Sequence, residues 1–287
     1  MLHREGTGLI SMRSERSQEP AIIFFDIDGT LVTHRADVPP GETVVFGVPS
    51  PGVVEAFRRL RERGHLAFIC SGRPRRLVYP PVLELETAGS VLSAGACLMI
   101  GDEVVEDRFV DAGTLDGILE GFERERVSVM LEGTDECVTF MPEGASDRLA
   151  LPHATIARTV DEVHAVSTMR FSKFAFYNDE IPKFERVGDL LTEHFVRYDL
   201  GLGVSEMTLK DVDKGHGVRR VLEMLGRDHA RTFAFGDSEN DLPLFSAVET
   251  SVAMGNAMPS VKEAAAYVTD SVADDGVVTG LEHFGLI

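Results

Sequence analysis

The run AIIFF at residues 21–25 ends abruptly at an aspartate, and it narrows the fold more than any other feature. Five apolar residues in succession do not suit a strand with one face in water. They need cover on both faces, as a central strand of a parallel sheet has. HLAFIC (65–70), TFAFG (232–236) and SVAM (251–254) repeat the pattern, and YVT (267–269) reads as a short strand. Helical patterns alternate with them. Ser50–Arg63 carries Val53, Val54, Phe57 and Leu60 at helical spacing, with Pro51 in the first turn and Gly64 at the stop. Val218, Val221, Leu222 and Leu225 mark a second helix, ended by Gly226, and VKEAAA (261–266) reads as a third. This rhythm predicts an α/β fold with a parallel-sheet core and helices on both faces.

The middle of the chain departs from that rhythm. VSVML (127–131) and CVTFM (137–141) flank a glycine-containing turn and read as a hairpin, while KFAFYND (173–179) alternates like a half-exposed strand. Leu115, Ile118, Leu119 and Phe122 mark one amphipathic helix, and Phe184, Val187, Leu190 and Leu191 another. The expected organisation is a loose tail at 1–19, a first part of the core at 20–110, an inserted α+β cap at 111–207 and a second part of the core at 208–287.

Composition limits the partners. Lys and Arg total 28 against 47 Asp and Glu, a formal net charge of −19. Such a surface repels nucleic-acid backbones and anionic membranes. The sequence has no apolar run of the ~20 residues that span a bilayer and no signal-like segment at its start. The three cysteines, Cys70, Cys97 and Cys137, show no paired spacing, so they read as free thiols in a reducing cytoplasm. A cytoplasmic monomer or homodimer is expected.

Four short segments carry the chemistry. In FFDIDGTLV (24–32), Asp26 and Asp28 directly follow a buried strand. Residues two apart on an extended backbone share a face, and ligands of open α/β sheets bind beyond the carboxyl ends of the strands. In ICSGRP (69–74), Ser71 and Gly72 offer a hydroxyl and a backbone N–H to a phosphate oxygen. In DVDKGHGV (211–218), Lys214 opens a helix. A cation in a first turn opposes the macrodipole, and an anion nearby would account for it. In FAFGDSENDLPLF (233–245), Asp237 follows a strand and Asp241 lies four residues on. Alone, each segment is also ordinary turn or surface chemistry.

As an ordered set they resemble the haloacid dehalogenase-like hydrolase superfamily: DxDGT, a strand-end Ser or Thr, a Lys, and GDxxND. The tail AMGNAMPSVKEAAAYVTDSVADDGV (253–277) resembles the Cof-type phosphatases. The resemblance runs from about residue 21 to the end and implies a Rossmann-like core with an inserted α+β cap. It also implies a Mg²⁺-dependent phosphatase acting on a small phosphorylated metabolite, such as a sugar phosphate or nucleotide. Asp26 is then the nucleophile and Asp28 the acid–base. Mg²⁺ is held by Asp26, Asp28 (through its backbone carbonyl), Asp237 and Asp241. Ser71 and Lys214 hold the phosphoryl oxygens, with Asn240 and Asp241 supporting the metal and the lysine. Gly29, Thr30, Gly72, Arg73, Lys173, Asn240 and Asn256 complete the expected substrate-binding set, with Arg170 as a further candidate.

Two departures stand out. Cof-type chains usually have Asn-Gly-Ala before the cap, where this chain has Ala94-Gly95-Ala96. The stretch between Thr33 and Pro49 is rich in Pro and Gly, a candidate flap that places His34 and Arg35 just beyond the first motif. A phosphosugar mutase, a phosphonate-cleaving enzyme and a non-catalytic sensor of a phosphorylated metabolite remain open. A nucleotide- or flavin-binding domain ranks below them, because neither G-x-G-x-x-G nor G-x-x-x-x-G-K-[ST] is present.

Overall fold

The computed structural model describes residues 19–33, 47–150, 154–201 and 203–287. The expected N-terminal tail up to residue 18, and the body of the Pro/Gly-rich stretch with His34 and Arg35, lie outside the described residues. In chain order the strands are β1 (Ile22–Phe25), β2 (Leu66–Cys70), β3 (Gly89–Leu92), β4 (Cys97–Ile100) and β5 (Glu103–Asp107). Next come β6 (Val129–Glu132), β7 (Cys137–Phe140), β8 (Thr155–Ala157), β9 (Lys173–Tyr177), β10 (Phe195–Gly201) and β11 (Val204–Leu209). β12 (Thr232–Gly236), β13 (Thr250–Ala253) and β14 (Tyr267–Val268) follow. The chain forms two compact units. One comprises the residues up to Ile69, Tyr79–Ala88 and Val221–Ile287; the other comprises Cys70–Val78 and Gly89–Arg220.

The first unit is the parallel one. β1 pairs with β12 on one side and β2 on the other, and β13 and β14 extend the row beyond β12, all in parallel. Ile22 through Phe25 are fully buried, as expected for a continuous apolar strand with cover on both faces. Phe25 stacks on Phe235 with ring centroids 5.1 Å apart and tilts against Phe57 at 4.8 Å. Phe57 belongs to the helix Pro51–Glu62, whose N-terminus is capped by Ser50 Oγ accepting from the Val53 amide at 3.1 Å. The chain leaves that helix through Gly64 at φ +76°.

The second unit is antiparallel. β3, β4 and β5 form a meander, a departure from the parallel rhythm of the preceding strands. Only Gly101 and Asp102 separate β4 from β5, too short a link for a parallel crossover. A six-stranded sheet runs in the order β10-β11-β9-β6-β7-β8, antiparallel except where β8 joins β7. One face packs its apolar side chains, among them Leu131, Phe140, Phe174 and Phe176, with Leu115, Ile118 and Phe122 of the helix Ala112–Glu125. The single helix expected around Phe184–Leu191 is two, Ile181–Val187 and Asp189–His194. They break at Gly188, whose φ of +107° no continuing helix accommodates.

Candidate active site

In the first unit, β1 and β12 run side by side and end one residue short of Asp26 and Asp237. The Asp26 amide donates to the Phe235 carbonyl at 3.0 Å, keeping the two chains in step to the strand ends. Carboxylate oxygens of Asp26, Asp237 and Asp241 lie within 4.8 Å of one another, and all three residues are buried. Asp241 Oδ2 accepts from the backbone amides of Asp237 (3.0 Å) and Ser238 (3.1 Å), which fastens the turn after β12. Asp28 is half-buried and adds no side-chain oxygen to this set.

The loop after β1 is shaped around these carboxylates. Gly29 has φ +83°, and a Cβ there would lie 2.3 Å from Asp237 Oδ2. Thr30 Oγ1 donates to Asp237 Oδ1 at 3.4 Å. Asn256 donates through Nδ2 to the Gly29 carbonyl (2.9 Å) and accepts at Oδ1 from the Val272 amide (2.8 Å). The two halves of the tail motif therefore brace the first motif, and Asn256 acts as a clamp on the backbone. Asn240 Oδ1 accepts from Ser238 Oγ at 2.8 Å.

Three like charges this close repel by about 1–4 kcal/mol per pair in a partly screened setting. A small divalent cation that prefers a few carboxylate oxygens fits such a set. Asp26, Asp237 and Asp241 are thus the residues that could hold a metal.

In the second unit, Ser71 is buried and Lys214 is 2% exposed. Lys214 begins the helix Lys214–Met224. Asp213, just before it, accepts from the His216 amide through Oδ1 (2.6 Å) and from the Gly217 amide through its carbonyl (3.1 Å). The turn after β2 is held from several sides. Ser71 Oγ accepts from the Arg73 amide at 3.2 Å, and the Ser71 carbonyl accepts from the Ala94 amide at 3.1 Å. Ala94, at the Asn position of the family pattern, has φ 55° and ψ 31°, a left-handed conformation that asparagine tolerates better than alanine. A Cβ on Gly95 would meet the Asp213 carbonyl oxygen at 2.1 Å.

Lys173 is not the exposed cation its alternating strand suggested. It is 6% exposed, and its ammonium reaches Glu206 Oε2 (2.8 Å), Glu132 Oε2 (3.0 Å) and the Gly72 carbonyl (2.9 Å). Burial opposes its charge, but the two carboxylates outweigh that and raise its pKa. Burial pushes Glu132 up as well, against the pull of Lys173. The expected set contained neither Glu132 nor Glu206. The signal available was an acidic residue inside each of two otherwise apolar or neutral strands, VMLE and VSEMTL. Arg170 is exposed and pairs with Asp107 at 2.9 Å, its guanidinium lying 4.3 Å from the Phe109 ring centroid. All three cysteines are free. Burial pushes Cys97 up to about 11 and Cys137 up to about 12, so both stay protonated at neutral pH.

Residues 23–281 match the family of haloacid dehalogenase-like hydrolases. The chain belongs to that family. Among relatives of this hydrolase, YkrA of Bacillus subtilis (strain 168), which carries a phosphatase name, is 28% identical over 284 residues, covering 93% of this chain and 98% of its own. The pyridoxal phosphate phosphatase YbhA of Escherichia coli (strain K12) is 28% identical over 282 residues, covering 88% of this chain and 96% of its own. A solved haloalkanoate-superfamily phosphatase from Bacteroides thetaiotaomicron superposes with a TM-score of 0.78 at 21% identity, covering 100% of this hydrolase and 99% of that chain. A solved sugar phosphatase of subclass IIB superposes with a TM-score of 0.73 at 22% identity, covering 93% and 100%. At these identities the two structures share the fold. Among the described residues, no helix of the hydrolase is long and apolar enough to cross a membrane.

Proposed function

We propose that this hydrolase is a Mg²⁺-dependent phosphatase of small phosphorylated metabolites, working through an aspartyl-phosphate on Asp26. The convergence of the Asp26, Asp237 and Asp241 carboxylates within 4.8 Å, at the ends of adjacent buried strands, carries the reading. The phosphatase names of its relatives support it.

Asp26 attacks phosphorus in line and the ester oxygen departs. Splitting the hydrolysis this way replaces one difficult displacement by two easier ones. Asp28 gives its proton to the leaving alcohol and then takes one from the attacking water, a service worth ~10²–10⁴-fold. Ser71, the Gly72 amide and Lys214 hold the phosphoryl oxygens, and Lys214 balances charge that grows on them in the transition state. Asp26, Asp237 and Asp241, with the Asp28 carbonyl, would hold Mg²⁺. When bound, the ion neutralises both these carboxylates and the phosphoryl group. Thr30 and Asn256 fix the nucleophile's loop, so the chain meets the phosphate with its reacting atoms already placed.

The test is phosphate release from a broad panel of phosphorylated metabolites, pyridoxal phosphate included, with and without Mg²⁺, for wild type beside Asp26→Ala. Mg²⁺-dependent turnover of a few compounds, absent in the variant, is the expected result. Turnover by Asp26→Ala at the wild-type rate would overturn the mechanism. Binding of phosphorylated ligands without any turnover would make the protein a sensor.

A further inference from the structure

We infer that Asp275 is a positioning residue for the carboxylate cluster: docked on the start of the helix Pro51–Glu62, it holds the loop through which Asn256 clamps the Gly29 backbone. This rests on the reading of Asp26, Asp237 and Asp241 as the Mg²⁺ site, and every residue involved belongs to the first unit.

Asp275 breaks two local rules. It directly precedes the helix Gly276–His283, where an aspartate ordinarily caps its own helix from an extended backbone. Here the backbone is left-handed, φ 55° and ψ 38°, and the side chain makes no cap hydrogen bond. A left-handed conformation is unfavourable for a residue with a Cβ, although aspartate tolerates it better than most. The carboxylate turns to another helix instead. Its Oδ1 accepts from Ser50 Oγ, and its Oδ2 lies so near Gly52 that a Cβ there would be 2.6 Å away. Ser50 is the N-cap of the helix Pro51–Glu62, which has no acidic residue in its first turn. Asp275 supplies the negative charge that favours a helix N-terminus, from 225 positions along the chain. A residue set against its local preferences answers a tertiary demand.

The loop that ends at Asp275 bears on the site. The Val272 amide donates to Asn256 Oδ1 (2.8 Å), and Asn256 Nδ2 donates to the Gly29 carbonyl (2.9 Å). The Gly255 amide donates to the Asp270 carbonyl (2.9 Å), and the Gly276 amide closes the loop on the Ser271 carbonyl (2.9 Å). The turn that carries Asn256 also reaches the end of β12: the Met254 amide donates to the Gly236 carbonyl (3.0 Å) and the Met258 amide to the Asp237 carbonyl (2.9 Å). Residues 270–276 therefore brace both the Gly29 loop and the backbone of Asp237, and Asp275 fastens that brace to the helix Pro51–Glu62. Without the fastening the loop can drift, and the Asn256 clamp drifts with it. The carboxylates then lose the fixed spacing that a small cation with strict geometry requires.

Asp275→Gly is the discriminating variant, because glycine adopts the left-handed backbone freely and only the carboxylate is lost. Calorimetric titration with Mg²⁺, well below the melting temperature, reads the site without turnover. The Kd for Mg²⁺ should rise about three- to tenfold, the worth of one hydrogen bond. Asp275→Asn keeps an acceptor for Ser50 and should return the Kd to within about twofold of wild type. In an Asn256→Ala background, Asp275→Gly should raise the Kd no further, because residues acting through one chain of contacts are not additive. A purely structural role predicts otherwise: a lower Tm in EDTA, a wild-type Kd for Mg²⁺, and losses that add. An unchanged Kd in Asp275→Gly, or effects that add to those of Asn256→Ala, would overturn the inference. If Asp275→Gly does not fold, Ser50→Ala severs the same contact from the other side and is titrated in its place, with the same outcomes. Failure of the wider reading looks different. A wild type that binds no Mg²⁺ removes the metal site and this inference with it. A wild type that binds Mg²⁺ and shows these shifts, yet hydrolyses no phosphate ester, leaves the role of Asp275 standing while the phosphatase reading falls.

Discussion

Gly29 approaches Asp237 so closely that a Cβ at position 29 would lie 2.3 Å from Asp237 Oδ2, at a backbone φ of +83°. One glycine therefore sets how near the first-motif loop comes to a carboxylate 208 residues further along, and it does so by lacking a side chain. Gly29→Ala must push Asp237 aside or shift the loop. We expect at least a tenfold loss of Mg²⁺-dependent phosphate release, with the far-UV circular dichroism of wild type. A variant with full activity and unchanged Mg²⁺ dependence would show that the approach does not matter.

The Asp26–Asp237–Asp241 cluster should cost stability when no cation is bound. Asp237→Asn removes one of three like charges and is expected to raise Tm in chelator. With Mg²⁺ at 100 times its Kd, wild type should gain about 2.7 kcal/mol, and the variant much less. Paired melting curves with EDTA and with Mg²⁺ read both effects. Equal Mg²⁺-induced shifts in the two proteins would remove Asp237 from the metal site.

Lys214 is 2% exposed at the start of its helix. Lys214→Met keeps the length and loses the charge. The expected fall in kcat/KM is on the order of 10²–10³, the worth of one donor aimed at developing charge. Lys214→Arg should rescue poorly, because a planar fork does not replace a compact ammonium in a closed site. If Lys214→Met keeps more than a tenth of wild-type activity, the lysine is structural.

His65 gives the fold a pH dependence independent of catalysis. Its Nδ1 accepts from the Ala21 amide at 3.0 Å, at the entrance to β1. Burial, aided by Arg231 and Arg63, lowers its pKa below the usual 6.5. Between the folded pKa and 6.5 the unfolded chain binds more protons, so stability rises with pH through that window and falls on acidification. His65→Asn retains an acceptor and does not titrate. Its urea midpoint should be flatter than wild type's below pH 6.5, by roughly the 0.5–1.5 kcal/mol of one hydrogen bond. Parallel profiles would assign the acid sensitivity elsewhere.

Local signals were sufficient for much of this protein. Largely apolar runs announced β1, β2, β12 and β13 because strands covered on both faces are built mostly of apolar residues. The short motifs named Asp26, Asp237 and Asp241, whose carboxylates the structure gathers within 4.8 Å, and they named Asp28, Ser71 and Lys214 in the same way. The setting of Lys173 was not legible, because its strand reads the same whether a cation meets water or lies between two carboxylates. Glu132 and Glu206 gave only isolated acidic letters, and β3–β5 and the break at Gly188 were likewise missed. The sequence alone determined where the buried parallel strands run and which carboxylates end them, since both follow from short-range pattern. Tertiary structure alone decided that Asp241 meets Asp26, that Asn256 clamps Gly29, and that Lys173 is spent on Glu132 and Glu206. Those pairings join residues 33 to 227 positions apart, and only the sheet register and the packing of the strands bring such residues together.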